Sequence, residues 1–244
     1  MSREQFIKIY KSNPCRFHAS ALWKTLNKTD VEIHINEKSS GIKTIKISDN
    51  SNLYLYYDIE KNIPSDINNY KIALLHNSQV AAEYKNADKY FRLIYDKRIS
   101  CDCQKECIFE EVNVSRETSD VAKFINRCYE NTNLSQNEIE KWMHHPTFDS
   151  SLWIWAKDKE TKKIIGLAIA EYDKDIKEGL LEWIQVLPEH RGKSIGKAMV
   201  CELISRLSNA DFITVSGKAD NASAEKLYRS CGFVGDDIWY VINK

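Results

Sequence analysis

LLEWIQVLPEHRGKSIGKAMVCELISRL, residues Leu180–Leu207, changes its periodicity twice. Leu180–Val186 is an apolar run of strand length, rich in residues that suit a buried sheet. Leu187 and Pro188 stop it, because proline has no N–H to give to a sheet ladder. A basic turn follows, Arg191-Gly192-Lys193-Ser194-Ile195-Gly196-Lys197. From Ile195 the apolar residues Met199, Leu203 and Leu207 recur every four positions. Strand, glycine-containing turn and helix bring free backbone N–H groups and the positive end of a helix dipole to one point. Such a point suits a phosphate. Gly192-Lys193-Ser194 imitates the end of a P-loop, but the first glycine of that motif would fall on Leu187, so a P-loop is excluded.

The stretch is entered from an antiparallel meander. Leu152–Ala156 and Lys163–Tyr172 read as strands joined by a polar turn, and a second turn ending at Gly179 leads into Leu180. It is left through one more strand, Phe212–Val215, and a polar loop to Asn221, a good helix N-cap. Ala224, Leu227, Tyr228 and Cys231 form one face of the next helix, Gly232 is placed to end it, and Phe233 and Ile238–Ile242 close the chain. Upstream, Ile108–Val114 reads as a strand. A helix capped by Ser119 or its neighbour carries Val121, Phe124, Ile125, Cys128 and Tyr129 as one stripe. Ser135 and Glu138 fit a capping box opening a helix through Ile139, Trp142 and Met143. His144 and His145 follow, and adjacent histidines on a helix point apart, which makes them a poor metal pair.

Residues 1–100 read as α+β. Phe6, Ile9 and Tyr10 have helical spacing, Asn13-Pro14 breaks it, and Phe17, Ala21, Leu22 and Leu26 resume it. Val31–Ile35 and Ile42–Ile47 alternate as a hairpin, with His34 on its polar side; Leu53–Ile59 supplies a third strand. Ile72–Tyr84 reads either as a buried helix or as a strand–helix pair, and Tyr90–Tyr95 as a strand. Residues 101–107, with Cys101, Cys103 and Cys107, read as a polar connector in a reducing compartment; C-x-C-x-x-x-C lacks the pairing of a zinc site. Lysine plus arginine and aspartate plus glutamate both number 35, which argues against a general nucleic-acid binder. No apolar run has membrane-spanning length and the N-terminus has no signal-peptide core, so a cytoplasmic location and no membrane partner are expected.

Two stretches together resemble the GNAT superfamily of acyl-CoA-dependent N-acetyltransferases. Val186-x-Pro188-x-x-Arg191-Gly192-Lys193-Ser194-Ile195-Gly196 is similar to that family's Arg/Gln-x-x-Gly-x-Gly/Ala loop. Asn221-Ala222-x-Ala224-x-x-Leu227-Tyr228-x-x-x-Gly232-Phe233 is similar to its C-terminal helix motif. The resemblance covers about residues 108–244 and implies an α+β (α/β mixed sheet) acyltransferase domain there; the smaller α+β domain at 1–100 and the 101–107 connector, read from the residues alone, precede it. It implies acetyl-CoA and no metal, with Ile184, Val186, Arg191, Gly192, Lys193, Ser194, Ile195, Gly196, Lys197, Asn221 and Tyr228 on the cofactor. Tyr228 would protonate the leaving thiolate, and Glu182 on the strand before the loop is the candidate base. Ser194 departs from the family, which has glycine there. The acceptor would be a small-molecule or peptide amine, and a homodimer is left open. Two other classes stay open: a non-catalytic acyl-CoA sensor, and an adaptor using residues 1–100.

Overall fold

The computed structural model describes residues 3–17, 30–39, 41–80, 84, 86–99, 107–129 and 132–243. The chain forms two compact units. One comprises Met1–Ile94, Ser216–Glu225 and Gly235–Lys244; the other comprises Tyr95–Val215 and Lys226–Val234.

The first unit opens with α1 (Arg3–Ser12), whose Phe6 and Tyr10, four apart, are fully buried. The helical resumption expected beyond Phe17 lies outside the described residues. β1 (Glu32–Lys38), β2 (Gly41–Ser48) and β3 (Asn52–Asp58) form an antiparallel meander, with His34 exposed on the first. β3 then pairs in parallel with β4 (Ile72–His76), through Asn52↔Ile72 and Leu53↔Ala73. The ambiguous segment after Ile72 is therefore a strand, followed by a 3-10 turn at Asn77–Gln79. β5 (Asp88–Tyr95) and the C-terminal strand Phe233–Asn243, β11 in chain order, complete the order β1-β2-β3-β4-β11-β5. Leu53, Ala73 and Leu75 from the strands close a core with Ile67, Tyr70 and Ile242.

One polar side chain in this unit fills a break in the sheet. The register of β2 on β3 passes from Ile47↔Leu55 to Ser48↔Leu53, which leaves Tyr54 as the extra residue of a bulge. The Ile59 N–H bonds to the Lys43 carbonyl, and alternation of an antiparallel ladder then turns the backbone groups of Asp58 and Tyr56 away from β2. Gln79, 3% exposed, meets them there. With its amide oriented to suit both, its nitrogen donates to the Tyr56 carbonyl at 2.7 Å and its oxygen accepts from the Asp58 N–H at 2.9 Å.

The second unit is built on β6 (Cys107–Glu111), β7 (Trp153–Asp158), β8 (Ile164–Asp173), β9 (Glu178–Val186) and β10 (Phe212–Lys218), in the order β10-β9-β8-β7-β6. All neighbours are antiparallel except β9 and β10. Its helices are α2 (Thr118–Cys128), α3 (Gln136–Trp142) and α4 (Ile195–Arg206), and α5 (Ala222–Ser230) ends in it. The Ser135–Glu138 capping box is formed in full. The expected cap of α2 is not: the N-cap is Glu117, with no side-chain cap bond. Its carboxylate instead takes the Asn113 N–H at 2.7 Å and the Trp155 indole at 3.0 Å.

Alternation along β8 sorts the helices onto the two faces. Leu167 and Ile169 join Val121, Ile125, Ile139, Trp153 and Trp155 in the core under α2 and α3. Gly166, one residue off that face, meets α4 instead, where an added Cβ would come 2.9 Å from the Met199 sulfur. Trp153 and Trp155, 2% and 1% exposed, are core residues. Of the cysteines, Cys15, Cys107 and Cys231 are buried free thiols and Cys128 is a half-buried one. Cys201 on α4 is disulfide-bonded, which departs from the expectation of a reducing compartment.

Candidate active site

β9 leaves its partners in a defined order. The parallel pairing with β10 runs from Phe212↔Glu178 to Val215↔Leu181 and ends there. The antiparallel register with β8 jumps from Ala170↔Leu181 to Ile169↔Trp183, so Glu182, the next residue, is a bulge. A bulge adds twist, and here it begins at the residue where the parallel pairing stops. Beyond it the Leu187 N–H bonds to the Ile165 carbonyl at 3.0 Å. Alternation then makes Gly166↔Val186 and Ala168↔Ile184 the pairs that exchange no hydrogen bonds. The backbone groups of Ile184 and Val186 therefore point away from β8, to the side β10 has vacated.

The basic turn lies at the end of this opened segment. Pro188–His190 forms a 3-10 turn, Gly192 has φ 78°, and α4 starts at Ile195. Arg191, Gly192, Lys193 and Ser194 are exposed, Gly196 and Lys197 half-buried, and Ile195 is buried as the anchor of the helix. Nothing lies within 4 Å of a Cβ built on Gly192, so the backbone there is open to a ligand. Ser194 sits at φ 56° and ψ 10°, the left-handed region, and its hydroxyl makes no cap bond. The first-turn N–H groups of α4 thus have neither an intrahelical partner nor a side-chain cap.

Arg191 does not point outward into solvent alone. Its Nε donates to the Val186 carbonyl at 3.1 Å and its Nη2 to the Cys128 carbonyl at 3.3 Å. One side chain thereby joins the turn, the opened end of β9 and the last turn of α2. With the Val186 carbonyl occupied, the N–H is the backbone group of that residue left facing the gap.

Tyr228 is 7% exposed on α5, its ring against Phe233 at 5.8 Å. Burial, with smaller contributions from Tyr129, Cys231 and Glu182, pushes its phenol well above the ordinary value. Those contributions bring Glu182, Tyr129 and Tyr228 into one neighbourhood. Asn221, at the start of α5, caps it as expected: its Oδ1 accepts from the Ala224 N–H at 3.1 Å. Packing of Leu227 beside Gly196, 3.2 Å from a Cβ built there, holds α5 against the start of α4.

Tyr129 and Gln185 are site neighbours that the sequence reading missed. Tyr129 scanned as the end of a core stripe, yet it is the C-cap of α2 and 42% exposed. Its ring meets Trp183 edge-on at 6.2 Å, and Trp183 stacks on Trp142 at 5.5 Å. Gln185 lies inside the apolar run Leu180–Val186, and no sequence signal shows that its polar side chain is buried. Among the described residues no group of three or more His, Cys, Asp or Glu side chains could hold a metal ion. None of the described helices is long and apolar enough to cross a membrane.

A parallel strand pair that parts at a bulge, with a glycine turn and an uncapped helix start at its mouth, is an arrangement that suits a phosphate-bearing ligand. Residues 118–233 match the model of the acetyltransferase (GNAT) family, and this part of the chain is a GNAT-superfamily domain. Such domains move an acyl group from an acyl-CoA to an amine. No curated protein matches the sequence. Among solved structures, an acetyltransferase of the GNAT family from Colwellia psychrerythraea aligns over 100% of this chain and 98% of its own, at 10% identity and a TM-score of 0.63. A GCN5-related N-acetyltransferase from Sphaerobacter thermophilus aligns over 71% of this chain at 13% identity and a TM-score of 0.60, and the chain spans 58% of its length. A tandem GNAT protein from the clavulanic acid biosynthesis pathway aligns over 98% and 94% of the two chains, at 8% identity and a TM-score of 0.54. At these identities the likeness is one of fold.

Proposed function

We propose that the protein is an N-acyltransferase that moves an acetyl group from acetyl-CoA to a primary amine by direct attack in a ternary complex. The observation that carries this reading is the parting of β9 from β10 at Glu182, with the Ile184 and Val186 backbone turned into the gap above the turn at residues 191–197. The N–H groups of that turn and of the first turn of α4 hold the pyrophosphate, helped by the charges of Lys193 and Lys197. The Ser194 hydroxyl, which makes no cap bond, is an additional donor. The Ile184 and Val186 backbone holds the pantetheine arm and the acyl carbonyl, and the Val186 N–H stabilises the oxyanion. Asn221 borders the cofactor while capping α5.

Glu182, half-buried and released from the ladder, takes the proton of the amine, directly or through one water. The nitrogen–carbon bond forms, the carbon–sulfur bond breaks, and Tyr228 gives its phenolic proton to the leaving thiolate sulfur. The raised titration of Tyr228 keeps that proton in place until the thiolate appears. The first unit repeats the meander, bulge and parallel pair of the second, and the fold likeness to a tandem GNAT protein supports reading it as a second GNAT-like half. Its gap is filled by Gln79, so we assign it no cofactor.

Acetyl-CoA should raise the melting temperature, and an amine panel should release free thiol. Tyr228→Phe should cut kcat by about 10²–10⁴-fold while leaving the acetyl-CoA Kd within about twofold. Undiminished turnover in that variant would remove Tyr228 from the mechanism.

A further inference from the structure

His76 ends β4 in the first unit, 6% exposed, and its hydrogen bonds define where its ring proton sits. Its Nδ1 accepts the Ser78 backbone N–H at 3.2 Å, so the imidazole is the N-cap of the 3-10 turn Asn77–Gln79. A backbone N–H can only donate, and Nδ1 therefore carries no proton. The Arg16 guanidinium, a donor at every nitrogen, bears on the same Nδ1. The one ring proton is on Nε2, which donates to Asp237 Oδ1 at 2.8 Å. Among the described residues, the charged groups facing the ring are thus Arg16, from the turn after α1, and Asp237, from β11. Tyr57 of β3 lies beyond Arg16, whose guanidinium stands 5.4 Å from its ring centre. Trp239 packs edge-on to the imidazole at 5.3 Å, and its indole N–H holds the Cys15 carbonyl at 2.9 Å, which fixes the turn carrying Arg16 against β11. The Ser78 hydroxyl, 3.0 Å from Nδ1, can accept as well as donate.

The turn that His76 caps ends in Gln79, the side chain that fills the gap of the first unit. We infer that His76 is a proton-operated latch on that plug. Neutral, it caps the turn and keeps Gln79 on the Tyr56 carbonyl and the Asp58 N–H; protonated, it lets the turn go and the gap opens. An imidazolium carries a hydrogen on both nitrogens. Its Nδ1–H would meet two donors, the Ser78 N–H and the Arg16 guanidinium, and the Arg16 charge would oppose its own. That Nδ1–H is satisfied only by turning to the Ser78 hydroxyl, which leaves the Ser78 N–H uncapped. Asp237 favours the charged ring and so admits the proton that Arg16 and the cap oppose. A histidine buried neutral contributes stability that is lost as pH falls. An imidazole changes charge between pH about 5 and about 8, so the gap is shut at the upper end of that range and open at the lower. The latch lies within the first unit and does not depend on the acyltransferase reading.

Hydrogen exchange at the Asp58 amide, followed by NMR on the intact protein and corrected for the intrinsic change of rate with pH, reads the latch. Protection should fall by about tenfold between pH about 8 and pH about 5, the scale of a lost cap. The Leu187 amide, bonded to the Ile165 carbonyl in the second unit, should keep its protection. His76→Asn supplies a cap that takes no proton, so protection at Asp58 should then be equal at both pH values. Asp237→Asn should keep the opening and move it to lower pH, because the charged ring loses its carboxylate. Equal protection at both pH values in the wild type overturns the inference. So does a loss that survives His76→Asn, which would put the proton on another group such as Asp237. A parallel loss at Leu187 is acid unfolding of the protein and also overturns it. Should His76→Asn fail to fold, the ring nitrogen shifts of wild-type His76 at pH about 8 decide: a proton on Nε2 supports the latch, and a proton on Nδ1 overturns it.

Discussion

Ser194 concentrates the residue-scale physics of the site. A non-glycine residue at φ 56° carries about 1–2 kcal/mol of steric cost. Glycine is free of that cost but has more conformational freedom to lose on folding. Ser194→Gly should therefore stabilise the protein by about 0.5–1 kcal/mol, raising Tm by about 1–4 °C. A fall in Tm would mean that the serine side chain makes a contact the fold needs. Tyr228 gives the second residue-scale prediction. Its phenol is pushed above the unfolded value of about 10, so the folded state holds the proton longer than the unfolded chain. The stability it contributes is full below pH about 10 and is lost as pH rises beyond that. The same shift means that kcat should show no alkaline fall from Tyr228 up to pH about 9.5. A falling limb near pH 8 that disappears in Tyr228→Phe would contradict the assignment.

At the scale of elements, Arg191 is the tie between turn, strand and helix. Its two bonds reach the Val186 carbonyl and the Cys128 carbonyl, and Arg127 adds an exposed pair with Glu189 between the same two elements. The exposed pair contributes little. Two hydrogen bonds from a charged donor are worth about 1.5–3 kcal/mol each at most. Arg191→Ala should accordingly loosen the turn and weaken acetyl-CoA binding by about tenfold or more, and Arg191→Lys should recover little, because a lysine cannot hold both carbonyls in one plane. Calorimetric titration of the two variants checks this. Equal affinity in wild type and Arg191→Ala would show that the turn holds its shape unaided. The bulge at Glu182 and the tie at Arg191 act on the same strand segment from opposite ends.

On the scale of the whole molecule, the two units use one pattern with different outcomes. In each, a bulge follows the last parallel pair, after Leu181 in one and after Leu53 in the other, and the backbone two and four residues past the bulge faces a gap. In the second unit those residues are Ile184 and Val186, and in the first they are Tyr56 and Asp58. Gln79 occupies the gap in the first unit, where a glycine-containing turn and a long helix are absent between β3 and β4. One acetyl-CoA should therefore bind per chain, a stoichiometry that calorimetry reads directly. Gln79→Leu should cost about 1–3 kcal/mol by leaving a buried N–H and carbonyl unpaired, with a matching fall in the urea midpoint and no change in acetyl-CoA stoichiometry. Two bound molecules per chain in the wild type would defeat this view.

The sequence by itself determined whatever depends on neighbours along the chain. The apolar run into Val186, the glycines and charges of the turn, the period-four helix from Ile195, the Ser135–Glu138 box and the Asn221 cap all follow from local chemistry, and all were legible. What the tertiary structure alone decided depends on pairing between distant segments. Residue Glu182 is a bulge only because Ile169 and Ala170 skip it. Ile184 and Val186 face the gap only because Leu187 has spent its N–H on Ile165. Gln185 is buried only because α2 and α3 cover its face of the sheet, and Glu117, a surface residue by its letters, serves Trp155 from across the unit. Register and burial are properties of two strands or two layers at once, and no single stretch carries them.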